Sequence, residues 1–146
     1  MASKGLRIMS KKPGKSVNNF GVFKKSFSLY YNGGEIWAEH LDGIAERNTV
    51  MRKYYMDLEQ IRKPSSSSFI AINLDETKVD PNLLEQILTP LCQLNRPIKK
   101  VVLVGLDWKW KRYIRKRKEE LPFQVGLIDD FEKAKQWLLG NNRYNK

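Results

Sequence analysis

Apolar and polar residues change rhythm along this chain, and the rhythm marks out its elements. Phe27-Ser28-Leu29-Tyr30-Tyr31 alternates and is rich in β-formers; Asn32-Gly33-Gly34 follows, then Glu35-Ile36-Trp37-Ala38-Glu39-His40-Leu41. Two short runs around an Asn-Gly-Gly turn predict a β-hairpin. From about Asn48 to Arg62, Val50, Met51, Tyr54, Tyr55, Leu58 and Ile61 recur at helical spacing and form one apolar stripe, with Asn48 as N-cap. Pro64 and Ser65 to Ser68 break that helix.

Phe69 to Leu74 is apolar except for Asn73, as expected of a strand buried on both faces. Asp80-Pro81 opens the next helix, with Asp80 as N-cap and Pro81 in the first turn. Leu83, Leu84, Ile87, Leu88 and Leu91 make its apolar face, Pro90 is placed to kink it, and Asn95-Arg96-Pro97 ends it. Val101 to Leu106 reads as a further buried strand, Asp107 to Glu120 as a basic helix, and Phe123 to Ile128 as the last strand. Asp129-Asp130 caps a final helix with Phe131, Ala134, Trp137, Leu138 and Leu139, which Gly140 stops. The order is β-β-α-β-α-β-α-β-α. It predicts an α/β domain over residues 27–140, with a mixed, mostly parallel sheet that starts in an antiparallel hairpin.

Composition adds a strong charge bias. The 146 residues hold 27 Lys and Arg against 16 Asp and Glu, a formal net charge of +11. Such a surface attracts nucleic acid, an anionic membrane or an acidic protein. Residues 1–26 contain Lys4, Arg7, Lys11, Lys12, Lys15, Lys24 and Lys25 and no acid, and read as a basic tail; residues 141–146 read as a frayed end. Cys92 is the single cysteine, so no intrachain disulfide forms, in keeping with a reducing compartment. No apolar run reaches the roughly 18 residues that span a bilayer. The expected location is the cytoplasm.

The element order and two local segments resemble the STAS domain, named for sulfate transporters and anti-sigma-factor antagonists. The first segment is Ile72 to Leu84, in which Asp75 and Asp80 fall where that family's two aspartates lie, between a buried strand and the next helix. The second is Phe123 to Leu139, similar to the family's closing βα unit; Leu41-Asp42-Gly43 fits its opening. The resemblance implies a non-catalytic module that binds a protein partner, with Asp75, Asp80 and Asn82 as a loop interaction site. It also exposes a departure. Family regulators carry a phosphorylatable Ser or Thr where this chain reads Asp80-Pro81-Asn82-Leu83, and Asn82 has no hydroxyl. No phosphorylation switch is expected there.

Catalytic chemistry finds little to stand on. A Ser or Cys nucleophile usually needs a base, and the only histidine is His40, read as a satisfied residue at the sheet edge. Cys92 borders an apolar stripe and reads as a small buried hydrophobe. Asp75, Glu76 and Asp80 gather at a strand end, where α/β folds bind ligands, but capping and strand termination account for Asp80 and Asp75. No glycine-rich phosphate loop or metal-ligand spacing is present; Gly33-Gly34 is a turn and Gly105 stands isolated. No enzyme, cofactor or metal is expected.

The strongest local signal is Trp108-Lys109-Trp110-Lys111-Arg112-Tyr113-Ile114-Arg115-Lys116-Arg117-Lys118. On a helix at about 100° per residue, Trp110, Tyr113, Ile114, Arg117 and Leu121 share the face that packs on the sheet. Lys109, Lys111, Arg112, Arg115, Lys116 and Lys118 point away, and Trp108 falls within their arc. No acid interrupts the run between Asp107 and Glu119. Like charges at i,i+4 cost a few tenths of a kcal/mol each. A face that accepts this repulsion suits a polyanion: an acidic protein, nucleic acid or an anionic membrane surface. Solvation of a plain surface helix is the competing explanation. No sequence-specific DNA-reading motif is present.

Overall fold

The computed structural model describes residues 24–140. The basic tail up to residue 23 and the segment 141–146 lie outside the described residues. The elements are β1 (Phe27–Tyr31), β2 (Gly34–His40), α1 (Arg47–Ile61), β3 (Phe69–Asn73), α2 (Pro81–Cys92), β4 (Lys100–Val104), α3 (Trp108–Arg117), β5 (Gln124–Leu127) and α4 (Phe131–Lys135). They build an α/β fold around one 5-stranded mixed sheet in the order β1-β2-β3-β4-β5.

The hairpin forms because Asn32 (φ 51°) and Gly33 (φ 83°) both adopt positive φ, the backbone of a tight two-residue turn. β1 runs antiparallel to β2, whereas β2–β3, β3–β4 and β4–β5 pair in parallel. Each parallel step moves to the adjacent strand in the same direction. Right-handed crossovers therefore place their helices on one face. Val50, Tyr54 and Leu58 of α1, Leu83, Leu84 and Ile87 of α2 and Ile114 of α3 share a core there with Ile70, Ile72, Val101 and Leu103.

The other face is built differently. Ala38, Ala71, Val102 and Gly126 lie in register across the sheet. That row of mostly small residues lets the C-terminal segment approach closely. A Cβ on Gly126 would lie 3.0 Å from the Trp137 ring, and one on Gly34 would lie 2.6 Å from Leu139 Cδ1. Asn32 Nδ2 donates to the Gly140 carbonyl at 3.2 Å, so the end of the described chain is tied back to the first turn.

Several local expectations shift. Glu46, in an extended conformation, precedes α1, so Asn48 lies inside the helix instead of capping it. Tyr55 is exposed, and Lys53 takes a buried place on α1 instead. α2 runs through Pro90, begins at Pro81, and is capped by Asp80, which accepts from the Leu83 N–H at 2.8 Å. Cys92, at its last position, turns out of the apolar stripe and is exposed. α3 starts at Trp108 and tightens into a 3-10 turn at Lys118–Glu120. Asp130 caps α4, which is regular only to Lys135 before widening into a π-helical turn over Gln136–Gly140. Among the described residues, no helix is long and apolar enough to cross a membrane.

Candidate functional site

The site begins with how α3 is fixed. Ile114 is fully buried beneath it, and Trp110 and Tyr113 pack partly buried against the same core. Leu121, just past the helix, is buried too. Arg117 turns inward and grips Glu85 of α2 through Nε–Oε2 (2.9 Å) and Nη2–Oε1 (3.0 Å), while Tyr113 Oη donates to Glu85 Oε2 at 2.5 Å. The Arg117 hydrogen bond, foremost, holds the Glu85 carboxyl below the usual range. The inward face matches the helical spacing read from the sequence.

The outward face keeps most of the cations expected there. Lys109, Arg112, Arg115, Lys116 and Lys118 are exposed, and Trp108 is 71% exposed. None of those five cations forms an ion pair with another described residue. Every acidic side chain of the sequence lies within the described residues, and none of them is within ion-pair distance of these five cations. Lys111 departs from the expectation. Its ammonium reaches back to Asp129 beyond β5 at 2.7 Å, and its side chain is only 20% exposed. Lys111 thus fastens the start of α3 to the β5–α4 turn and leaves the free arc.

Helix electrostatics explain part of this pattern. Arg115, Lys116 and Arg117 occupy the last turn, where cations favour the negative end of the macrodipole. Lys109 in the first turn gains nothing from that field; its ammonium sits 4.9 Å from the Trp110 ring centroid instead. Arg112, at mid-helix, has neither compensation.

Asp75, Asp80 and Asn82 do not join this arc. Asp80 is committed to capping α2 and to Arg47, 2.5 Å away. The Leu83 backbone bond and then Arg47 keep its carboxyl below the usual range. Asp75 and Asn82 are exposed, in the loop after β3 and in the first turn of α2. A polar cleft of about 380 Å³ opens at the carboxyl ends of β3 and β4, between Asp75, Glu76, Thr77 and the start of α3 at Asp107 and Lys109. Gly105 shapes it. Its φ is +90°, and a Cβ there would lie 2.7 Å from Asp75 Cα. This glycine is no isolated spacer: it lets the two loops touch.

Other candidates have structural partners. His40 ends β2, an inner strand, and so is not at the sheet edge. Its ring stacks on Phe27 and Phe131, and Nδ1 lies 3.2 Å from Asp42 Oδ1. Burial, chiefly, lowers its pKa. Among the described residues no group of three or more His, Cys, Asp or Glu is placed to hold a metal.

One buried polar cluster lies outside the residues expected from the sequence. Glu39 shares its core-facing row with Ile72 and Leu103 and is fully buried. Trp37 Nε1 donates to its Oε1 at 2.8 Å, but Oε2 has no hydrogen-bond partner among the described residues. Nearby, Lys53 Nζ donates to Ser26 Oγ (2.9 Å) and Asp57 Oδ2 (3.0 Å). Burial, with Asp57 close by, pushes the Glu39 acid well above the usual range. Burial acts the same way on Asp57, but Glu39 and Lys53 outweigh it and hold that acid low. Strand alternation could have flagged Glu39, since its parity matches Trp37 and Leu41.

No protein family, curated protein or solved structure matches the chain.

Proposed function

We propose that this chain is a non-catalytic, STAS-like accessory module that binds nucleic acid through the outer face of α3. The observation that carries the reading is the free cationic arc: Lys109, Arg112, Arg115 and Lys116 on the anchored helix, and Lys118 in the turn that ends it, are exposed with no acid paired to them among the described residues. Fixed cations on a preorganised helix release counterions from a phosphate backbone, and that release drives binding. The basic residues of the N-terminal tail would add phosphate contacts.

Two other partners fit the same charge less well. An anionic membrane holds an amphipathic helix by its apolar face. Here that face, with Ile114, Trp110 and Tyr113, is turned into the core. The centre of a protein interface is depleted in charge and rich in apolar and aromatic groups. The outer arc offers only Trp108 of that kind. A protein partner, as the STAS resemblance implies, is therefore the competing outcome, and its occupant would be an acidic surface.

The test is a mobility shift on single- and double-stranded DNA and RNA, using wild type and a variant with Arg112, Arg115 and Lys116 changed to Glu. Wild type should shift at least one of these probes at low salt, and the variant none. If wild type shifts nothing, the nucleic-acid reading falls. An equal shift by the variant removes α3 as the site.

A further inference from the structure

The sequence has four tryptophans, and three of them are used by the fold. Trp37 is buried, Trp110 packs on the core beneath α3, and Trp137 covers Gly126. Trp108 is different: at 71% exposure its indole faces water from the first position of α3. It lies on the cationic side of the helix, with the free Arg112 one turn along and Arg115 and Lys116 a further turn on. At about 1.5 Å rise per residue, these cations follow Trp108 at roughly 6 Å and 11–12 Å along one line.

We infer that this line is a track for single-stranded nucleic acid, with an unpaired base stacked on Trp108 and the adjoining phosphates on Arg112, Arg115 and Lys116. The inference rests on the nucleic-acid reading and narrows it. An indole presents a flat π surface, and the groups that match it are the faces of bases. In a duplex those faces are covered by neighbouring bases, and freeing one costs a few kcal/mol. A single strand offers them without that cost. The helix sequence WKWKRYIRKR contains no Asn or Gln, so α3 carries no amide for reading adenine in a major groove. Stacking accepts any base, so the track should tolerate many sequences.

The experiment is an anisotropy titration of a labelled mixed-sequence single strand and of its duplex, each across a salt series. The proteins are the full chain as wild type, Trp108→Ala, Trp108→Phe, and a triple variant with Arg112, Arg115 and Lys116 changed to Ala. Trp108 is exposed, so its variants keep the fold. Wild type should bind the single strand more tightly than the duplex. Trp108→Ala should weaken single-strand binding by about 5- to 150-fold, the range for one lost base stack. Its salt slope and its duplex binding should not change. Trp108→Phe should recover most of the loss, and the triple variant should flatten the salt slope. If Trp108→Ala binds the single strand like wild type while the triple variant fails, stacking is wrong and phosphate binding by α3 stands. Tighter binding to duplex also overturns the inference. If wild type binds neither probe, the underlying nucleic-acid reading falls with it.

Discussion

Arg117 and Glu85 meet through two near-parallel hydrogen bonds, 2.9 and 3.0 Å long, that join the end of α3 to the middle of α2. Both side chains are about two-thirds buried, at 26% and 31% exposure. A two-pronged pair in that setting is stronger than an exposed ion pair. Lys111 and Asp129 hold the other end of the helix at 2.7 Å. Two cations of the basic run are thus anchors, and the rest are free to meet a partner.

Glu85→Gln should cost about 1–2 kcal/mol of stability, because it leaves the partly buried Arg117 guanidinium with only the exposed Glu120, 3.1 Å away, as counter-charge. The Glu85 acid is held low in the fold, so the pair's contribution is present above the usual carboxylate pKa and lost as pH falls through the lowered one. Denaturant melts at pH 7 and at low pH check this: the gap between wild type and variant should close in acid.

Lys111→Ala and Arg112→Ala separate anchoring from contact. Arg112→Ala should lower the salt slope of binding by about 0.7 to 0.9 for one lost phosphate contact, with little change in stability. Lys111→Ala should leave the slope nearly intact. Equal effects on the slope would show that the Asp129 pair opens when ligand binds.

Glu39→Gln should stabilise the protein at neutral pH. The Glu39 acid is raised in the fold, so the folded chain holds a proton that the unfolded chain releases above about pH 4.3. Stability attached to this group is therefore greatest at low pH and falls as pH rises through the raised value. Gln keeps the shape and carries no charge to desolvate. Melting curves from pH 4 to 8 should show the variant's advantage growing toward the alkaline end; an advantage confined to acid contradicts the burial argument.

Gly105→Ala should cost about 1–3 kcal/mol, since φ is +90° and the new Cβ would press on the Asp75 backbone. Thermal melts check it. A silent substitution would mean the loops part without strain.

The parts of this fold legible in the sequence were those where local chemistry and global packing agree. Asp80 followed by Pro81 marks a helix start that tertiary structure leaves alone, and the inward side of α3 follows from helical spacing. The misread parts were those where a distant partner decides. Lys53 looks like a surface residue until Ser26 and Asp57 arrive from β1's approach and the next turn of α1. Lys111 looks free until Asp129, across the β5–α4 turn, closes on it. Gly105 has a purpose only because the loop after β3 passes beside it. Cys92 stands at the last position of α2, at the border of the apolar stripe, and is exposed there. The same holds for the site: the outer arc was readable as a charge pattern, but which of its members are spent on anchoring needed the third dimension.

The salt dependence of binding to a single-stranded oligonucleotide decides whether α3 binds phosphates. With four to five free cations engaged, the plot of log K against log salt should be linear with a slope of about −3, at roughly 0.7 per phosphate contact. The variant with Arg112, Arg115 and Lys116 changed to Ala should bring it near −1. Binding absent at about 50 mM salt, or an affinity indifferent to salt between about 50 and 200 mM, contradicts a phosphate-binding role for α3.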